Sequence, residues 1–125
     1  MMNRIIIVNG NKYDFECSYT KNYSGFKHIS KLYLNGKYIV KAERQYYNRT
    51  WEQYEYQSVM EQIIRLMLSD VEQVYIDKFK LEKGYKRMTD KRKVEFNNYI
   101  KDNTDYNNQI EELKTVLYDL ETKSI

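Results

Sequence analysis

The chain has 125 residues, enough for one domain with one core but too few for two independent ones. Its net charge is +3, and its 42% apolar and 15% aromatic residues exclude an intrinsically disordered protein. The single cysteine, Cys17, excludes an intrachain disulfide, and the apolar run at residues 5–8 is too short for a signal peptide or a membrane span. We therefore expect a soluble protein in the cytoplasm.

The first 47 residues predict an antiparallel sheet of three to four strands, beginning near residue 4. Two Asn-Gly pairs, at residues 9–10 and 35–36, are typical of two-residue hairpin turns. Between them, residues 12–20 alternate in polarity, which predicts a half-buried strand. The apolar face of this strand consists of Tyr13, Phe15, Cys17 and Tyr19.

The next two predicted strands are less regular. Residues 21–25 read as a polar loop, and the facing of the third strand, from residue 26, is ambiguous because apolar and polar residues interleave. Residues 37–47 predict a fourth strand. One face of it would carry Tyr38, Val40, Ala42, Arg44 and Tyr46.

The hydrophobic period changes from two to about 3.6 after residue 48, which predicts helices. Thr50 and Gln53 fit a capping box, and Gly84 is a plausible helix end. Between them an apolar stripe predicts a long amphipathic helix packed on the sheet. The stripe consists of Tyr56, Val59, Met60, Ile63, Met67, Val71 and Val74.

Two further helices are expected after Gly84. Thr89 can cap one that reaches residue 99 or 100, and residues 103–105 look like a break or a cap before the last. The last helix carries a heptad-like seam of Tyr106, Ile110, Leu113, Leu117 and Leu120. This seam either packs within its own domain or forms a homodimer or a coiled coil with a partner. The whole chain is thus predicted to be one α+β domain, residues 1–125, with a β-meander at 1–48 and a helical part at 49–125.

The sequence offers no combination of residues for catalysis. His28 is the only histidine, and it lies in a predicted strand, while Cys17 fits a small buried hydrophobic residue. No glycine spacing matches a phosphate-binding loop, and one Cys with one His cannot form a zinc site. We expect neither an enzyme nor a protein that holds a cofactor or a metal.

Binding features are more prominent. Residues 78–93 hold eight cations against Glu82 and Asp90, with aromatic residues interleaved. The cations are Lys78, Lys80, Lys83, Lys86, Arg87, Lys91, Arg92 and Lys93, and the aromatics are Tyr75, Phe79 and Tyr85. This combination suits phosphates and base stacking, or an acidic protein surface, or merely a solubilising face. The predicted partner-binding residues are Lys78, Lys80, Lys83, Lys86 and Arg87.

A second group of cations lies on the predicted sheet among tyrosines. It consists of Lys27, Lys31, Lys37, Lys41 and Arg44. The arrangement is similar in outline to platforms that bind single-stranded nucleic acids, but the glycine-aromatic runs of RNA-recognition sheets are absent from the sequence.

Residues 44–59 read Arg-Gln-Tyr-Tyr-Asn-Arg-Thr-Trp-Glu-Gln-Tyr-Glu-Tyr-Gln-Ser-Val. With residues 24–28 and the second Asn-Gly pair, this run resembles a segment of small proteins from phages and mobile elements of low-GC bacteria. Some of those proteins are anti-CRISPR inhibitors of type II Cas9 nucleases, and the resemblance covers about residues 12–65. It implies a phage protein that acts in the host cytoplasm of a low-GC Gram-positive cell.

The function implied by the resemblance is binding of a Cas9-type nuclease and inhibition of target DNA cleavage. A net charge of +3 argues against a DNA mimic, because such mimics are strongly acidic. Engagement of a nuclease domain, with its movement blocked, fits the charge better. The alternative is a phage accessory protein that binds nucleic acid through a basic, Tyr-rich face.

Overall fold

The computed structural model describes residues 2–47 and 53–123, except for the side chains of residues 53–55. The described residues form a four-stranded antiparallel sheet and three helices, which confirms the α+β class. The strands are β1 (Met2–Val8), β2 (Asn11–Asn22), β3 (Gly25–Leu34) and β4 (Lys37–Tyr47), paired in chain order. The helices are α1 (Gln53–Lys83), α2 (Asp90–Lys101) and α3 (Thr104–Thr122). The predicted cap residue Thr50 lies outside the described residues.

Both Asn-Gly pairs form the predicted hairpin turns. Asn9 and Gly10 have φ of 53° and 79°, and Asn35 and Gly36 have φ of 52° and 85°. Two successive positive φ angles match the twist of the flanking strands, which is why Asn-Gly is favoured there. The side-chain oxygen of Asn35 also accepts a hydrogen bond from the backbone N–H of Lys12, at 2.8 Å.

The polar loop predicted at residues 21–25 is much shorter than expected. β2 continues to Asn22, whose register partner Gly25 begins β3, so only two residues form the turn. Residues 19–22 are exposed, and this exposure gives the end of β2 the composition of a loop. Tyr19 is therefore not part of the buried face, which in β2 ends at Cys17.

The facing of β3, ambiguous in sequence, is set by its neighbours. His28, Ser30 and Leu32 are buried, and Ser30 and Leu32 pair with Cys17 and Phe15 of β2. The side chains between them point to the opposite, outer face of the sheet. The inner face of β3 therefore carries both polar and apolar residues. For this reason the alternation of polarity could not show which side chains of β3 face inward.

A β-bulge changes the facing of β4. Leu32 pairs with Val40, but the next residue, Tyr33, pairs with Tyr38, so Ile39 is an extra residue. Tyr38 therefore lies on the outer face, where its ring centroid is 5.7 Å from that of Tyr33. The prediction that Tyr38 shares a face with Val40 is wrong because the extra residue reverses the alternation.

The sheet, α1 up to Arg65 and α3 from Thr115 form one compact unit. His28 of β3 and Tyr56 of α1 lie in edge contact, with ring centroids 5.1 Å apart. The side-chain oxygen of Ser58 in α1 accepts a hydrogen bond from Arg44 of β4 at 2.8 Å. The apolar residues of the unit that have no exposed surface include Phe15, Cys17, Leu32, Val59, Met60, Ile63, Ile64, Val116 and Leu120.

Leu66–Lys114 form a second compact unit with its own aromatic core. Its buried residues are Tyr75, Phe79, Phe96 and Tyr106. The stripe predicted for α1 is confirmed up to Ile63, but Val74 is exposed and its neighbour Tyr75 is buried instead. The buried side of α1 is shifted by one residue here because Tyr75 packs against Tyr106, with centroids 5.0 Å apart.

Local signals fix the helix ends as predicted. Gly84 has φ of 73°, and the N–H of Tyr85 bonds to the carbonyl of Lys80 at 2.9 Å, the pattern of a glycine-terminated helix. Thr89 caps α2 by accepting from the N–H of Arg92, and Asn103 accepts from the N–H of Tyr106 at the start of α3. The chain divides into two compact units, and α1 and α3 each contribute residues to both. That the whole chain is one domain therefore stays a prediction.

Candidate interaction surface

The eight cations of residues 78–93 form what we call the basic tip of the second unit. The left-handed conformation of Gly84 ends α1 and leads the chain into α2, so the tip combines the last turns of α1, the connection and the first turn of α2. The unit as a whole holds ten Lys/Arg and ten Asp/Glu, whereas the tip holds eight against two. The positive charge of a neutral unit is thus concentrated in one stretch of the chain, which favours an acidic partner.

Four of the five predicted contact residues lie in the last turn of α1 and in the connection that follows it. Lys80 and Lys83 are three residues apart on α1 and therefore lie on one helix face, and Lys86 and Arg87 follow directly in the connection. Lys83, Lys86 and Arg87 are exposed, while Lys80 is half-buried and lies 3.9 Å from Asp77.

Lys78 lies apart from the other four predicted contacts. At about 100° per helical residue, it is roughly 160° around the helix from Lys80. Its Nζ is 4.7 Å from the centre of the Tyr75 ring, a cation–π contact. Lys78 is therefore engaged with the core aromatics at another face of α1.

The connection between α1 and α2 is held by Arg92. Its guanidinium lies 4.0 Å from the centre of the Tyr85 ring and donates a hydrogen bond to the carbonyl of Arg87 at 3.0 Å. The Tyr85 hydroxyl in turn donates to the carboxylate of Glu95 at 2.8 Å, and this hydrogen bond raises the pKa of the Tyr85 phenol. These contacts fix the backbone that carries Lys86 and Arg87.

The aromatic residues of the tip do not form a stacking surface. Phe79 is fully buried against Tyr85, Phe96 and Tyr99, and Tyr75 is buried against Tyr106. Tyr85 is half-buried, with Arg92 over one face of its ring. The interleaving seen in the sequence therefore reflects the core of the unit, and the rings are not presented to bases.

Sequence reasoning missed two exposed apolar side chains, one within residues 78–93 and one directly after them. Leu81 is 85% exposed on α1 and Val94 is 62% exposed on α2. Neither continues an apolar stripe, so the only available signal was their position among cations, away from the buried face. Exposed aliphatic side chains next to cations provide apolar contact area as well as charge.

Three cations of the sheet, Lys27, Lys31 and Lys41, share its outer face, where Lys31 and Lys41 are in register, whereas Arg44 does not lie with them. Lys27 and Lys41 both bond to Glu43, at 2.9 Å and 3.2 Å, and these hydrogen bonds lower the pKa of the Glu43 carboxyl. Arg44 is in register with the buried His28 and bonds to α1, so it lies on the opposite face of the sheet.

The predicted α3 seam is occupied within the chain. Tyr106, Leu113 and Leu120 are buried, and Ile110 and Leu117 are half-buried. Val116, which the heptad spacing passed over, is also fully buried. Burial in a single chain favours the first of the two alternatives, packing in its own fold, over a homodimer through these residues.

The two residues considered for chemistry both lie in the sheet. Burial raises the pKa of the Cys17 thiol to about 11, so the reactive thiolate is scarce at neutral pH. His28 is buried between the rings of Tyr46 and Tyr56, at centroid distances of 5.0 Å and 5.1 Å. Within residues 2–47 and 53–123, no three His, Cys, Asp or Glu side chains are grouped to hold a metal ion.

None of the helices in the described part of the chain is both long and apolar enough to cross a membrane. Comparison of the chain with models of protein families, with curated proteins and with solved structures finds no match to any of them.

Proposed function

We propose that this protein binds a Cas9-type nuclease and inhibits cleavage of target DNA, with the basic tip as its contact surface. The observation that carries the proposal is the concentration of eight cations in a unit that is neutral as a whole. Residues 12–65 resemble small proteins of phages and mobile elements, some of which are anti-CRISPR inhibitors, and this resemblance suggests the class of partner. The tip would be the means of binding it.

The composition of the tip supports a protein partner over a nucleic acid. Proteins that bind single strands stack bases on exposed aromatic rings, but Tyr75 and Phe79 are buried in the core of the unit. Leu81 and Val94, which follow Lys80 and Lys93 in the sequence, are instead exposed aliphatic side chains. Such a surface fits an acidic protein surface that contains an apolar depression.

The proposed mechanism is a block of movement. A Cas9-type nuclease must reposition a nuclease domain before it cuts, so a protein attached to that domain can prevent cleavage while DNA stays bound. A ligand shifts such an equilibrium only by binding one conformation more tightly than the other. The tip would therefore bind the undocked conformation preferentially.

Charge reversal tests the assignment. We would measure binding to a Cas9–guide complex, together with DNA cleavage, for the variant Lys83→Glu/Lys86→Glu/Arg87→Glu. The matched control is Lys12→Glu/Lys21→Glu/Lys37→Glu, which changes the net charge equally at three exposed lysines of the sheet unit. We expect the tip variant to bind at least about tenfold more weakly and to lose inhibition, and the control to keep both.

Each result bears on a different part of the proposal. Equal inhibition by wild type and the tip variant would remove the tip from the contact. Absence of binding to Cas9 complexes from several hosts would reject the partner. Tight binding to oligonucleotides with a steep dependence on salt would favour the nucleic-acid-binding accessory protein instead.

A further inference from the structure

The two edges of the sheet differ in their protection against pairing. β4 carries the bulge at Ile39 and three exposed cations, Lys37, Lys41 and Arg44. Bulges and charges are the devices by which natural proteins prevent an edge strand from pairing with another chain. β1, at the other edge, pairs with β2 in unbroken register over all seven of its residues.

β1 also presents little charge. Its one charged residue, Arg4, points to the inner face, where its side chain is 13% exposed. There it bonds to a carboxylate oxygen of Asp119 at 3.3 Å and to the carbonyl of the same residue at 3.1 Å. On the outer face, Ile5 is 51% exposed and Ile7 is 67% exposed. Among residues 2–47 and 53–123, β1 is an edge strand that pairs only with β2, and this edge carries exposed apolar side chains.

We propose that a second copy of this chain pairs antiparallel along β1, giving a continuous eight-stranded sheet. The backbone edge requires an extended strand, and Ile5 and Ile7 require an uncharged, apolar one. β1 itself meets both requirements. A twofold axis perpendicular to the sheet brings the two sets of Ile5 and Ile7 onto the same outer face, and both Arg4 side chains remain on the inner face with their own Asp119.

The same contrast between the edges predicts the size of the assembly. After β1 has paired with its copy, the two β4 strands are the remaining edges of the eight-stranded sheet. Each of them is protected by the bulge at Ile39 and by its cations. The pairing therefore closes as a dimer and does not extend into a fibre. This interface uses none of the α3 residues Tyr106, Leu113 and Leu120, and it is independent of the nuclease partner proposed above.

The test is sedimentation of the full chain over a range of concentrations. We expect the wild type to be a dimer, and Ile5→Lys/Ile7→Lys to weaken the dimer at least about tenfold, because like charges then face each other across the new strand pair. The matched control is Tyr38→Lys/Ile39→Lys, which places the same charges at exposed positions of the β4 edge. This variant should sediment as the wild type does.

Hydrogen exchange provides a second readout that depends on pairing and not only on mass. In the dimer, the β1 amides that point away from β2 should be protected, and they should lose protection in Ile5→Lys/Ile7→Lys while β2 and β3 keep theirs. Retained β2 and β3 protection also shows that the variant is folded. A wild type that is monomeric at high concentration, or a dimer that persists in this variant, would overturn the proposal.

Discussion

Cys17 shows how its surroundings set the chemistry of a single side chain. It is fully buried between β1 and β3, and its sulfur lies 3.4 Å from the hydroxyl oxygen of Ser30. Burial raises the pKa of the thiol from its ordinary value of 9.0 to about 11, and the hydrogen bond with Ser30 opposes this only in part. The thiol is therefore a packing group that resists ionisation.

This shift predicts a loss of stability at alkaline pH. The unfolded chain releases the Cys17 proton near pH 9, whereas the folded chain holds it until about pH 11. Between these values the folded state binds more protons, so the free energy of unfolding falls as the pH rises, by about 3 kcal/mol in all. Urea unfolding as a function of pH measures this loss.

Cys17→Ala is the control, because other groups also titrate in this range. Burial raises the pKa of the Tyr106 phenol as well, but that contribution is common to both proteins. The variant should be less stable at neutral pH and should lose less stability between pH 9 and pH 11. Parallel stability curves for the two proteins would contradict the assignment to Cys17.

At the scale of elements, two glycines with positive φ make a matched comparison. A Cβ added to Gly36 would meet no atom within 4 Å, whereas one added to Gly25 would clash with the backbone carbonyl oxygen of Tyr46 in β4. Gly36→Ala should therefore cost only the backbone strain of the left-handed conformation, about 1–2 kcal/mol. Gly25→Ala must also separate β3 from β4.

We expect Gly25→Ala to be several-fold more destabilising than Gly36→Ala, as measured by chemical denaturation. The additional loss arises because the clash is with backbone, which cannot move away by a change of side-chain rotamer. Similar losses for the two variants would show that β3 and β4 can separate locally at little cost.

The elements that sequence predicted well are those with local signals. The Asn-Gly turns, the cap at Thr89 and the end of α1 at Gly84 each depend on a few adjacent residues. The bulge at Ile39 and the exchange of Val74 for Tyr75 on the buried face of α1 depend on other elements, namely β3 and α3. A single sequence does not contain that information in readable form.

The candidate surface divides in the same way. The charge of the basic tip is a sum over neighbouring residues, so the sequence predicts it directly. Phe79 and Tyr75 are core residues because rings from α2 and α3 pack against them, and Lys78 lies over the ring of Tyr75 on its own helix. This could not be read from the neighbouring residues alone. The basic tip therefore does not present rings for base stacking, but its positive charge still predicts binding to an acidic partner.

At the scale of the molecule, the second unit depends on a small aromatic core. Phe79 is at its centre, with the rings of Tyr85, Phe96 and Tyr99 at centroid distances of 5.8, 5.6 and 5.2 Å. Phe79→Ala removes these contacts and leaves a cavity, which typically costs about 3–5 kcal/mol. With few other buried side chains to compensate, this unit should open before the sheet unit does.

Hydrogen exchange of the whole chain tests this order of opening. In Phe79→Ala, the amides of α2 should exchange much faster while those of β2 and β3 stay protected. In the matched variant Leu32→Ala, a fully buried residue of the sheet unit is truncated, and protection of β2 and β3 should fall instead. Equal loss in all elements for both variants would mean that the two units unfold as one. If the units open separately, Phe79→Ala should also abolish binding through the basic tip while its lysines remain, because α2 then no longer holds Arg92 against Tyr85.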